Sequence, residues 1–345
     1  MFSNLNPFSS PSTTTEVTEL RIYPIKSCRG ISIKSSSLTT HGLEFDRRWM
    51  FVSGDDHKFI TIRDLSDMTL IDTAFTTVKS PSESSDEDVE HLVISIRNTD
   101  KKVMMPARPT EQWLEENTNL AQVEIWGCKT DGYLYKDEIN HIFSEFFKKD
   151  VKLVFKGPTP RILSGNGAPE ILGREESTNF PDVMPILIAN EASLQELNQR
   201  LAEKGAEEIT IERFRPNIIV RGKDESNKDD AAPAAWTEDE WKRVRIINKP
   251  NSGFLSTALG STGIDIDVQA RCARCLVPNV NPETAERDQH EPWDTLVSYR
   301  RVDEGIKFKP CFGMLSVPRS DGPIAVGMKF EVWETTKNHK YLKGM

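Results

Sequence analysis

The chain predicts a mostly-β (α+β) protein organised as two domains. Three observations carry that expectation. Short segments of alternating polarity outnumber helical ones, polar hairpin turns outnumber crossover connections, and a break at Gly157-Pro158 divides the chain. The expected division is a flexible tail over residues 1–15, an N-terminal β domain over 16–157 and a second β domain over 158–345.

Each element has a local reason. From Val17 to Ile25 the pattern partly alternates, with Leu20 and Ile22 on one side and Glu19 and Arg21 on the other. Trp49 to Val52 and Phe59 to Ile62 flank the polar turn Ser53-Gly54-Asp55-Asp56, which predicts a hairpin. Further strands are expected at 69–75, 92–96 and 123–126, and the acidic, Ser-rich stretch 79–90 predicts a solvated loop. Ile139, Ile142, Phe143, Phe146 and Phe147 share one helical face, and that aromatic stripe predicts core packing. Asn190 is placed to cap a second helix that turns Leu194, Leu197 and Leu201 inward. Strands follow at 217–220, 243–247 and 324–332, and 223–235 predicts a polar loop.

Composition sets outer limits. With 345 residues, 37% hydrophobic and 28% charged, the chain can bury a sizeable core. A formal net charge of −9 argues against nucleic acid or an anionic membrane as a general partner, because both demand surplus Lys and Arg. No run of 18 apolar residues occurs, so no transmembrane helix is expected. The first 17 residues lack the basic and apolar regions of a secretory signal and the arginines of a transit peptide, which predicts a cytoplasmic protein. Five scattered cysteines are a poor disulfide framework.

The residues that could carry chemistry are few. Arg271-Cys272-Ala273-Arg274-Cys275-Leu276 contains a CxxC, which alone fits a redox dithiol, half a zinc site or two structural cysteines. Cys311 and His290 follow it in no recognisable zinc spacing. Two flanking arginines favour thiolate, the form that ligates metal. Tyr23-Pro24-Ile25-Lys26-Ser27-Cys28-Arg29-Gly30 follows a strand and offers donors to an anion, although a basic turn in solvent is commoner. Asp46-Arg47-Arg48-Trp49 and Phe214-Arg215-Pro216-Asn217 add two more basic points, each unremarkable alone. No GxSxG elbow, GxGxxG or GxxxxGK[ST] occurs, and no histidine stands in HxxxH spacing.

Taken in order, these motifs resemble the MOSC family with its N-terminal β-barrel partner domain. The resemblance runs from about Val17 to Val332 and adds NPET at 281–284, PWDTLVSYR at 292–300 and PCFG at 310–313. It implies a molybdenum–pterin cofactor (Moco), with Cys275 as catalytic centre and metal ligand and Cys272 as a neighbour. Lys26, Ser27, Arg47, Arg215, Asn217 and Arg274 would surround that cofactor, the Lys-Ser pair at its phosphate. The implied reaction is reduction of small N-hydroxylated compounds to amines, with electrons from a cytochrome b5-type donor and its NADH reductase, since no flavin, haem or iron–sulfur motif is present. The same module also closes molybdenum-cofactor sulfurases beside a pyridoxal-phosphate domain, which keeps a cofactor-carrier role as the alternative. Departures from the pattern are Val183-Met184 where the family places Thr-Ser, a missing N-terminal membrane-anchoring helix, and an insertion around 248–264.

Overall fold

The computed structural model describes residues 13–79, 88–224, 226–227, 230–247 and 263–344. In chain order the principal strands are β1 (Thr13–Ile22), β2 (Trp49–Ser53), β3 (Ile71–Lys79), β4 (Asp88–Ile96), β5 (Lys102–Pro106), β6 (Thr118–Ile125), β7 (Cys128–Tyr135) and β8 (Val151–Lys156). The second half adds β9 (Ile186–Asn190), β10 (Ile218–Val220), β11 (Trp241–Ile247), β12 (Gly263–Ala273), β13 (Cys311–Pro318) and β14 (Lys329–Thr335). The longest helices are α1 (Asp137–Phe147) and α2 (Glu191–Glu203). No helix among the described residues is long and apolar enough to cross a membrane.

Seven strands close a barrel in the order β10-β9-β13-β12-β11-β14-β1, with β1 pairing back onto β10. Only β9 and β10 run parallel, joined by the crossover through α2. The alternation of Ile264, Ile266 and Val268 along β12 sends these side chains inward, where they meet Val17, Leu20, Val244, Ile246 and Phe330; past a shift in register, Ala270 packs instead with Leu187 and Leu315. β1 lies first in the chain yet is a stave of the barrel otherwise built from the second half.

The N-terminal half forms two further sheets, β2-β8-β7-β6 and β3-β4-β5. Their shared core contains Trp49, Phe51, Ile60, Ile62 and the stripe of α1. Phe51 meets Phe143 and Phe147 edge-on at centroid distances of 5.0 and 5.6 Å. The aromatic helix face is core, as its spacing predicts, and Asn190 caps α2 by accepting from the Ala192 N–H.

Several boundaries differ from expectation. Residues 13–15, expected in the tail, are β1: the Thr13–Thr15 run is β-branched and pairs with Phe330 to Val332. The rest of the tail, and the insertion expected around 248–264 apart from its last two residues, lie outside the described residues. β3 and β4 extend to Lys79 and from Asp88, pairing through Thr76↔His91 and Val78↔Val89, so strand occupies the edges of the expected acidic loop; residues 80–87 lie outside the described residues. The strand expected over 324–332 breaks at the turn through Gly327, whose φ is +83°. Of the expected hairpin, the first arm is β2, but the second bonds to it locally and then turns away at Thr61. There the Asp64 carboxylate accepts from both the Thr61 N–H and hydroxyl, closing a turn.

Candidate functional site

That turn faces the mouth of a cleft of about 450 Å³, within the usual range for small-ligand sites. Lys26, Ser27, Arg47, Thr61, Ile62, Arg63 and Trp126 line it from the N-terminal half, and residues from Pro181 onward line the remainder. All seven residues singled out from the motifs (Lys26, Ser27, Arg47, Arg215, Asn217, Arg274 and Cys275) meet here. Seven Lys or Arg side chains line the cleft against one carboxylate, Asp182, so this acidic protein carries a locally basic cavity.

One end is built on Tyr23. The guanidinium groups of Arg47 and Arg215 lie over its ring at 4.4 and 4.2 Å from the centroid. Arg47 donates to Asp46 at 2.6 Å, to Asn217 Oδ1 at 3.1 Å and to the Arg215 carbonyl at 3.1 Å. Asn217 also donates to the Arg21 carbonyl and accepts from the Leu187 N–H, so it positions Arg47 and three strands at once. Arg215 donates to the Cys28 carbonyl at 2.7 Å through Nη1, while its buried Nη2 has no partner among the described residues. Burial, then the like charge of Arg47, pushes the Arg215 guanidinium down to about 10.

Ser27, Arg47 and Arg215 all sit at positive φ, at 69°, 48° and 59°. Left-handed non-glycine residues each cost on the order of 1 kcal/mol or more, and such strain gathers where a site fixes side-chain direction. Lys26 adds a buried ammonium that donates to the Phe180 carbonyl at 3.0 Å and pairs with Asp182. Burial holds it down to about 8 against the pull of Asp182. Lys26 and Arg63 hold the Asp182 carboxyl well below the usual range, overcoming the opposing effect of burial. A buried Arg with an unused Nη2, a second Arg and a lysine are the donor types that a phosphate-like anion would require.

The other end is sulfur. Cys272 lies on β12 and Cys275 just beyond its end. Arg274 donates to Cys272 Sγ at 2.9 Å and to the Phe214 carbonyl at 2.5 Å, so it serves Cys272 and not Cys275. Burial pushes the Cys272 thiol up, with Arg274 opposing. Arg271 points away altogether, donating to the His339 carbonyl at 2.9 Å and pairing with Asp303 at 3.4 Å. The expectation that both flanking arginines act on the ligand sulfur is therefore corrected: side chains in successive strand positions face opposite ways.

The cation at Cys275 is Arg63, 3.3 Å from Sγ. Arg63 stacks 4.6 Å from the Trp126 ring centroid and lies 3.8 Å from Asp182, which also accepts from Trp126 Nε1 at 3.0 Å. None of these three residues stands out in the sequence, although the Thr61-x-x-Asp64 pattern signals the turn that presents Arg63. Cys311 is buried on β13 opposite Ala273, and His290 pairs with Asp294 at the surface. Among the described residues no three His, Cys, Asp or Glu side chains gather as a metal cluster, so a protein-only zinc site is not built here.

Comparisons with known proteins agree with this architecture. Residues 14–150 match the MOSC N-terminal beta barrel domain and residues 175–331 match the MOSC domain. The chain is 29% identical over 320 residues to mitochondrial amidoxime reducing component 2 of Bos taurus, covering 90% of this chain and 81% of that one. It is 28% identical over 321 residues to mitochondrial amidoxime-reducing component 1 of Mus musculus, covering 90% and 80%. The molybdenum cofactor sulfurase of Oryza sativa subsp. japonica is 28% identical over 304 residues, which is 85% of this chain and 31% of that protein. With both matched segments in order along one chain, this protein belongs to the MOSC family and carries the family's N-terminal beta barrel domain ahead of its MOSC domain.

Proposed function

We propose that the cleft binds a molybdenum–pterin cofactor and that the protein reduces N-hydroxylated compounds to amines. The observation that carries this reading is the pairing, in one cavity, of a cysteine sulfur at one end with an unused buried guanidinium nitrogen at the other. Cys275 would hold the metal; Arg215, Arg47, Lys26 and Ser27 would hold the phosphate. When bound, the cofactor supplies a metal that takes up an oxygen atom and exchanges two electrons.

The remaining work falls to the chain. Arg47 and Arg215 orient an anion across Tyr23, and Asn217 fixes Arg47. Both cysteines of the CxxC line the cavity, and Arg274 donates to Cys272, which leaves Cys275 as the sulfur to hold the metal. Arg63 neutralises negative charge at Cys275, and Trp126 and Asp182 hold Arg63 in place. The net reaction consumes two electrons and two protons per hydroxylamine and releases an amine and water. Electrons come from a separate protein of cytochrome b5 type with its NADH reductase.

The test is steady-state reduction of phenylhydroxylamine by holoprotein with a chemical reductant. Aniline formation that depends on holoprotein supports the reading, and its absence sinks it. A cofactor carrier is the second reading, favoured by the similarity to the sulfurase over 85% of this chain. A carrier would retain molybdenum and pterin yet yield no amine.

A further inference from the structure

Residues 336–344, beyond the segment that matches the MOSC domain, cross the barrel without regular structure and are pinned at nearly every step. The Thr336 N–H donates to the Glu240 carbonyl at 2.7 Å, and a His339 ring nitrogen meets the Trp241 carbonyl at 2.6 Å. Arg271 donates to the His339 carbonyl, and Asn166 donates to the Lys340 carbonyl at 2.9 Å while accepting from the Leu342 N–H at 2.7 Å. Asp303 accepts from both the Tyr341 and Gly305 N–H groups at 2.8 Å. The approach is close: a Cβ on Gly305 would stand 2.0 Å from the Tyr341 carbonyl oxygen.

This strap delivers Tyr341 and Lys343 into the cleft. Tyr341 packs on the cluster of Leu163, Met184, Leu187 and Leu315 with Val183, the region where Val183-Met184 replace a hydroxyl pair of the family pattern. One wall of the cavity is therefore apolar. Lys343, which is exposed, and Lys309, which also lines the cleft, form no ion pair among the described residues, whereas Lys26, Arg47 and Arg63 each have a carboxylate within 4 Å.

We infer that the strap selects substrates with an apolar body and an anionic group, the body packing on Tyr341 and the acid pairing with Lys343. The inference rests on the reductase reading for turnover but not for binding. Both ends of such a molecule find a partner, while a neutral compound leaves the lysine unused.

The test uses holoprotein with phenylhydroxylamine and 4-(hydroxyamino)benzoate, and, for binding without turnover, aniline and 4-aminobenzoate by calorimetry. The wild type should favour the carboxylate member of each pair. Lys343→Glu should lower the acid-to-neutral ratio roughly tenfold, with molybdenum content unchanged. Tyr341→Ala should weaken both members alike. An unchanged ratio in Lys343→Glu overturns the inference, as does loss of molybdenum in that variant, which would place Lys343 on the cofactor. If neither hydroxylamine is reduced, the reductase reading fails and the calorimetric ratio still decides the role of the strap.

Discussion

Arg63 Nη2 lies 3.3 Å from Cys275 Sγ, although the two residues are 212 positions apart. One comes from a turn of the N-terminal half, the other from the end of β12 in the barrel. The candidate centre is therefore assembled across both halves of the chain, and neither half contains it alone.

Arg63→Gln should keep the fold, because Arg63 is a third exposed and the turn that carries it is closed by Thr61 and Asp64. A charge-assisted hydrogen bond contributes about 1.5–3 kcal/mol, so turnover should fall between tenfold and a hundredfold. Steady-state rates normalised to molybdenum content check this. Unchanged turnover would remove Arg63 from the site.

The unused Arg215 Nη2 makes a second expectation. Inorganic phosphate should raise the melting temperature of the cofactor-free protein, as any ligand of the folded state does. At a hundredfold excess over its dissociation constant the gain is about 2.7 kcal/mol, a shift of several degrees. Arg215→Gln should abolish the phosphate shift in differential scanning calorimetry without lowering the phosphate-free melting temperature by more than a few degrees. An equal shift in both proteins would place the anion elsewhere.

Lys26 sets a pH dependence. Its ammonium is held at about 8 against an ordinary value of 10.5, so between these pH values the unfolded chain binds more protons than the folded one. Stability therefore rises with pH across that window, and below it the folded protein carries the full cost of a buried charge. Lys26→Met should raise the urea midpoint of the cofactor-free protein at pH 7 and should flatten the difference between pH 8 and 10.5. A wild type and variant that run parallel with pH would contradict this.

How much of this was legible in the sequence follows from what each signal depends on. Lys26, Ser27, Arg47, Arg215 and Asn217 stand in short ordered motifs next to strands, and their convergence follows from barrel closure. The stripe on α1 and the Asn190 cap are local patterns and survive folding unchanged. Arg63, Trp126 and Asp182 are brought to Cys275 by packing between halves, which no local pattern encodes. Arg271 shows the opposite error: adjacency to the CxxC suggested a role at the sulfur, but the pleat of β12 turns it toward Asp303 and the strap. The strap itself has no periodicity, and its fixed course rests on buried side chains such as Asn166 and Asp303 that accept from its backbone.

The most direct test of the central claim is molybdenum K-edge X-ray absorption on holoprotein from a host that makes the cofactor, beside Cys275→Ser. The wild type should show a metal ligated by the pterin sulfurs and one more, and the variant should show one sulfur fewer. An identical sulfur count in the two proteins would contradict Cys275 as the ligand.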